Sequence, residues 1–168
     1  IMDELQSAGL SVVPNLYWVD GDQNELDHWT RWLINNPQIH TVSRDFTATR
    51  QPEPVALKIS EMLRLLNSTG RSFHVIIVGT GPANAPIVLR ELAKAGHTGT
   101  IVTSSPIIDA ISAMKYQINN GKIKKEKEYR ASFSELMLHN MKVFEQLLYL
   151  TLVDIRAYYP FTCNFQHS

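Results

Sequence analysis

Four short clusters carry the side chains with which this chain could do chemistry, and each closes a run of β-forming residues. The first is Asn15-Leu16-Tyr17-Trp18-Val19-Asp20. An amide, two aromatic rings and a carboxylate at a strand end could hold a planar ring by stacking and hydrogen bonding. The plainer role is rim packing by Tyr17 and Trp18, with Asp20-Gly21 making a turn. The second is Ser43-Arg44-Asp45-Phe46-Thr47. Charges at the end of a buried strand are costly unless paired or used. Arg44 and Asp45 fall on opposite faces of a continuing strand, so they do not pair with each other. Asp45 is the foremost candidate for an acid–base or substrate-anchoring carboxylate; otherwise it forms a structural ion pair or caps the next segment.

The third cluster, Gly79-Thr80-Gly81-Pro82, turns directly out of the most hydrophobic strand into a helix start near Pro86. Such a turn lets backbone amides approach a ligand. It is not a dinucleotide fingerprint, because Asn84 stands where the third glycine would be, and no Gly-Lys-Ser/Thr of a phosphate loop is present. The fourth, Thr103-Ser104-Ser105-Pro106, offers hydroxyls that bind phosphate or cap the helix opened by Pro106. The histidines at 28, 40, 74, 97, 139 and 167 are scattered, without HExxH or paired ligand spacing, and there is no GxSxG elbow. Neither a metal nor a cofactor is expected.

These clusters need a scaffold that brings strand ends together. Residues 11–19, 39–46, 73–79 and 100–104 read as strands. The unbroken apolar run Val75-Ile76-Ile77-Val78 predicts a strand covered on both faces, as in parallel sheets. Helical periodicity spans about 24–35, 53–66, 86–95 and 107–117, with a further long helix over 133–158. Residues 2–8 read as the end of a helix closed by Gly9. Strand spacing of roughly 27 to 35 residues is that of one βα unit. The expected class is therefore α/β with parallel βα units, a TIM-barrel-like half or fragment. A doubly wound open parallel sheet is the alternative. The expected layout is a βα-repeat domain over 1–120, a charged linker over 121–132, and a C-terminal helix and tail over 133–168. Ligands of such folds bind at the carboxyl ends of the strands, which is where the four clusters fall.

Length and composition bound the rest. The chain has 168 residues, sixteen basic and sixteen acidic, so net charge predicts no strong pull toward nucleic acid or anionic membrane. One cysteine, Cys163, excludes an intrachain disulfide and suits a reducing compartment, so a cytoplasmic location is expected. No apolar run approaches a membrane span, and residues 1–4 do not read as a signal peptide. A start on Ile1, entering a βα series midway, points to a fragment or processed product.

The order of motifs resembles the second half of the tRNA-guanine transglycosylase superfamily, with its 7-deazaguanine DNA-modifying relatives. The matching pieces are residues 13–18, residues 40–45, His74-Val75-Ile76-Ile77-Val78-Gly79-Thr80-Gly81-Pro82, residues 100–106 and Leu138-His139-Asn140-Met141. The Val-Gly-Thr and His-Asn pieces carry it, over roughly residues 9–150. The resemblance implies a (β/α)8 barrel, queuosine-type base exchange on a nucleic acid, and a glycosyltransferase activity. Its nucleophilic aspartate would fall near Val102 or Thr103, where this chain has no carboxylate; the nearest is Asp109, on the following helix. Its zinc cysteines have no counterpart, although His139 matches the histidine. By resemblance, Asn15, Tyr17 and Asp45 hold the base while Gly79, Thr80 and Gly81 approach ribose or phosphate; Trp18, Asp20, Arg44, Thr103 and Ser104 complete the substrate-binding candidates from their places in the strand-end clusters. Expected partners are a nucleobase, nucleoside or nucleic acid and no membrane, with a partner chain or a missing N-terminal half completing the barrel. The alternative is a non-catalytic small-molecule-binding domain or half-barrel subunit.

Overall fold

The apolar run at 75–78 lies at the centre of a parallel sheet. The computed structural model describes residues 2–10, 12–47 and 52–158. Strands β1 (Thr41–Asp45), β2 (His74–Val78) and β3 (Thr98–Val102) pair in the order β1-β2-β3, with Val42 beside Val75 and Val75 beside Gly99. Around them run α1 (Met2–Ser7), α2 (Gln23–Asn35), α3 (Pro52–Ser68), α4 (Ala85–Lys94), α5 (Ser105–Ile111) and α6 (Phe133–Tyr158). Asp22 caps α2 by accepting from the N–H groups of Asn24 and Glu25 at 2.9 and 3.2 Å. The α2 residues Leu26 and Leu33 join Val42, Val75 and Ile77 in the main core, with Met62, Leu65 and Leu66 of α3 and Val88 and Leu92 of α4. Arg71 locks the exit of α2 toward β1, donating to the carbonyls of Leu33 and Pro37 at 2.7 and 2.5 Å.

The expectation of parallel βα succession holds for β1 to β3, and the sheet is open, not a closed barrel. Cover on both faces does not hold. Val42, Arg44, Val75 and Ile77 are buried, whereas Thr41, Ser43, His74, Ile76, Thr98 and Thr100 on the opposite face are partly or fully exposed. That face is polar enough to stand in water: the two ring nitrogens of His74 lie 2.8 and 3.0 Å from the hydroxyls of Thr98 and Thr100.

Three further expectations are corrected. Of the strand expected over 11–19, the described residues 12–19 form none; the segment touches β1 through a single parallel bridge, Asn15 to Ser43. Pro14 has no N–H to donate. Beyond Asn15 the carbonyls are taken by side chains: Leu16 and Trp18 by Arg44 at 3.0 and 3.3 Å, and Tyr17 by Trp29 at 2.6 Å. The helix expected over 107–117 stops at Ile111, and half of the charged linker expected over 121–132 is a strand. Residues Met114–Asn119 (β4) and Lys122–Lys127 (β5) form an antiparallel hairpin. Its turn carries Asn120 and Gly121 at φ of 49° and 70°, the two-residue geometry that Asn-Gly favours. Tyr116, Ile118 and Ile123 pack with Phe144 and Leu147 of α6 in a second core, so the hairpin belongs to the folded body. The tail expected over 160–168 lies outside the described residues.

Candidate functional site

A cleft of about 800 Å³ opens at the carboxyl ends of β2 and β3. Its floor is Phe46, Val78 and Val102; one wall is the turn from Gly79 to Asn84 before α4, and the other is Thr103-Ser104-Ser105 with Ile108 and Asp109 of α5. Ile123 and Lys125 reach into it from β5. The parallel sheet puts the strand ends side by side, and the helices that follow start there, so hydroxyls, backbone N–H groups and a short glycine turn converge.

Gly79 makes the turn possible. Its φ is 79°, and a Cβ there would stand 2.2 Å from Thr47 Oγ1 and 2.9 Å from the Thr47 backbone. Gly81 is unconstrained by comparison, since a Cβ would only touch Ser105 Oγ at 3.6 Å. Thr103 Oγ1 donates to Ser105 Oγ at 3.1 Å and accepts from the Ser105 N–H at 3.2 Å, which caps the start of α5. Neither Asn84 nor Ser104 makes a side-chain capping bond to the helix it precedes. Both side chains line the cleft, so their amide and hydroxyl remain available to a ligand.

Across from them, Lys125 Nζ lies 2.7 Å from Asp109 Oδ2. The same carboxylate accepts a hydrogen bond from the Tyr116 hydroxyl. Burial, and then the Asp109 carboxylate, push the Tyr116 phenol far above its ordinary value, so it stays a donor at any physiological pH. Tyr116 also lies under Lys125, with the ammonium 5.7 Å from the ring centroid. This triad ties α5 to the hairpin at the edge of the cleft.

Of the residues singled out from sequence, Gly79, Gly81, Thr103 and Ser104 line the cleft. Thr80, between the two glycines, is buried and does not. The other group does not converge there. Asn15 lies beside Ser43, whose hydroxyl donates to its Oδ1 at 3.2 Å. Tyr17 is 65% exposed, away from the lining residues. Arg44 is buried on the helical face. Its guanidinium lies 3.7 Å from the Trp18 ring centroid and 3.4 Å from Asp20 Oδ1. Trp18 Nε1 and the Gly21 N–H both donate to the buried Glu61 carboxylate at 2.9 Å. Arg44, Trp18 and Asp20 thus pin the 14–20 segment to the sheet, which is a structural task. Arg44 Nε is buried without a partner.

Asp45 sits at the end of β1 and accepts the Thr47 N–H at 2.6 Å. The Thr47 hydroxyl, then its backbone N–H, hold the Asp45 carboxyl below the usual range. A carboxylate held ionised in this way caps a turn and is poorly matched to general acid–base work near neutral pH. Arg44 and Asp45 do face opposite sides, as strand geometry requires.

Sequence reasoning did not select Asn84 or Lys125 as site residues. In the sequence Asn84 stands out only as the residue in place of a third glycine. Lys125 needed the hairpin to be recognised, and Asn120-Gly121 was the signal for it. Among the described residues no group of His, Cys, Asp and Glu could hold a metal ion, and no helix is long and apolar enough to cross a membrane. No family model, curated protein or solved structure matches the chain.

Proposed function

We propose that this chain is a ligand-binding α/β domain whose cleft takes a nucleobase, nucleoside or nucleotide. One observation carries the reading: the unpaired Asn84 amide, the free Ser104 hydroxyl, the Gly79–Gly81 turn and the Asp109–Lys125 pair surround a single cleft at the carboxyl ends of parallel strands. An amide and a carboxylate match the edge of a base, while hydroxyls, backbone N–H groups and an ammonium match ribose or phosphate. The resemblance to the transglycosylase superfamily points to the same ligand class. The unreversed strand order supports reading the sheet as an arc of a βα barrel, while its polar open face fits a sheet that stands in water.

Base exchange is the reaction that the resemblance implies. Among the described residues lining the cleft the one carboxylate is Asp109; Lys125 and the Tyr116 hydroxyl both engage its Oδ2, which lowers that oxygen's nucleophilicity and leaves Oδ1 to accept from a base edge. Binding without turnover is therefore the reading the geometry favours.

Isothermal titration with guanine, guanosine and guanosine monophosphate tests it. At least one should bind, and Asn84→Ala or Ser104→Ala should weaken it about five- to thirty-fold, the loss of one neutral hydrogen bond at about 1–2 kcal/mol. Absence of binding by all three, or unchanged affinity in both variants, would overturn the proposal.

A further inference from the structure

We infer that the β4–β5 hairpin is a phosphate-binding ribbon that holds a single-stranded nucleic acid beside the cleft. For the delivery of a base the inference rests on the cleft reading; the contact itself stands on the ribbon alone. Residues 114–127 contain five lysines, at 115, 122, 124, 125 and 127, against one acidic residue, Glu126. The whole chain has a formal net charge of zero, so positive charge is gathered here at the expense of other surfaces.

Strand alternation sorts these residues. Met114, Tyr116 and Ile118 share one face with Ile123, Lys125 and Lys127, and this face turns toward α6 and the cleft. The other face carries Lys115, Gln117 and Asn119 opposite Glu126, Lys124 and Lys122. It presents three ammonium groups and two amides, with no apolar side chain among them. Glu126 is engaged by Gln117 at 2.8 Å and by Lys124 at 2.8 Å; Lys115 and Lys122 have no ion-pair partner among the described residues. Just past β5 stands Tyr129, 78% exposed, with Lys127 Nζ 5.8 Å from its ring centroid. Cations along the outer face suit a flexible phosphate backbone, and Tyr129, on the side of Lys127 and beside Ile111 and Phe133, offers a ring to an unstacked base past the ribbon's end. A lipid surface would need exposed apolar anchors on the same face, and the outer face has none. Ile123 and Lys125 line the cleft from the ribbon's inner face, so a strand held on the outer face reaches the site by crossing the ribbon's edge.

The test is fluorescence anisotropy with labelled oligo-dT and oligo-U of about 12 nucleotides, for the parent and for the triple variant Lys115→Gln, Lys122→Gln, Lys124→Gln. None of the three residues lines the cleft. Three phosphate contacts give a logarithmic salt slope of about −2, so parent affinity should fall about twenty-fold from about 50 to about 200 mM salt. The variant should bind at least tenfold more weakly at the lower salt and lose most of that slope. Guanosine titration and thermal melts run in parallel: unchanged nucleoside affinity and melting in the variant show that fold and cleft are intact. Oligonucleotide binding that survives the triple variant overturns the inference. So does absent binding by the parent, which leaves the lysines as charges guarding strand edges against association. Binding to phosphatidylserine vesicles in place of oligonucleotides overturns it in favour of a membrane. If neither parent nor variant takes nucleosides while the salt-dependent loss appears, the ribbon stands and the cleft reading falls.

Discussion

Replacing Gly79 with alanine tests how the cleft is built. At a φ of 79° an alanine pays about 1–2 kcal/mol for the left-handed conformation. Its Cβ would also press on Thr47, at 2.2 Å from Oγ1 and 2.9 Å from the backbone. The hydroxyl can rotate away, but the backbone must shift, and overpacking of this kind costs about 1–3 kcal/mol. The sum, about 2–5 kcal/mol, lowers the melting temperature of a chain this size by about 5–15 °C. Gly81→Ala is the control, two residues away in the same turn. It meets only Ser105 Oγ at 3.6 Å and lies outside the left-handed region, so it should be neutral or stabilise by about 0.5 kcal/mol through reduced freedom of the unfolded chain. Circular-dichroism melts of both variants read the difference directly. A Gly79→Ala protein that melts with the parent, or a Gly81→Ala protein that falls as far, would refute the reasoning.

Arg44→Met strands the carbonyls of Leu16 and Trp18 and removes the cation beside Asp20 and Glu61; urea titration should show a loss of about 3–5 kcal/mol, with Arg44→Lys recovering only part of it. A loss below about 1 kcal/mol would disprove the pinning role. His97 is held neutral by burial, which lowers its pKa, while its Nδ1 accepts from the Phe73 N–H at 3.3 Å and its Nε2 faces Asn67 Oδ1 at 3.0 Å. The unfolded chain takes up a proton there first, so stability is full above about pH 6.5 and declines as pH falls below it. Melting temperatures from pH 7.5 down to about 5 should show this decline in the parent and a shallower one in His97→Gln; equal slopes would remove His97 as the cause.

The parallel sheet was legible because its strands are short, apolar and spaced by amphipathic helices, and because burial favours β-branched runs such as Val75-Ile76-Ile77-Val78. The segment at 11–19 misled because its residue types suit a strand while its carbonyls are claimed by Arg44 and Trp29, long-range partners that no local pattern reveals. The hairpin was missed for a different reason. Its outer face is lysine-rich and reads as solvated chain, and its inner face sets only Tyr116, Ile118 and Ile123 against α6. Asn120-Gly121 was the local signal, and charge composition masked it. The site was half legible. Strand-end position identified Gly79, Gly81, Thr103 and Ser104. It also drew in Asn15, Tyr17 and Asp45, because a strand end does not say which face its side chains share. Charge at such an end is as often consumed in anchoring a neighbour, as Arg44 is, as offered to a ligand.

Amide chemical-shift mapping during titration with guanosine monophosphate tests the central claim most directly. Occupation of the cleft should move the Gly81, Asn84, Thr103, Ser104 and Ser105 resonances in a saturable, concerted way, and leave Asn15 and Tyr17 still. Shifts confined to residues 15–20, or no saturable shift in the turns before α4 and α5, would contradict it.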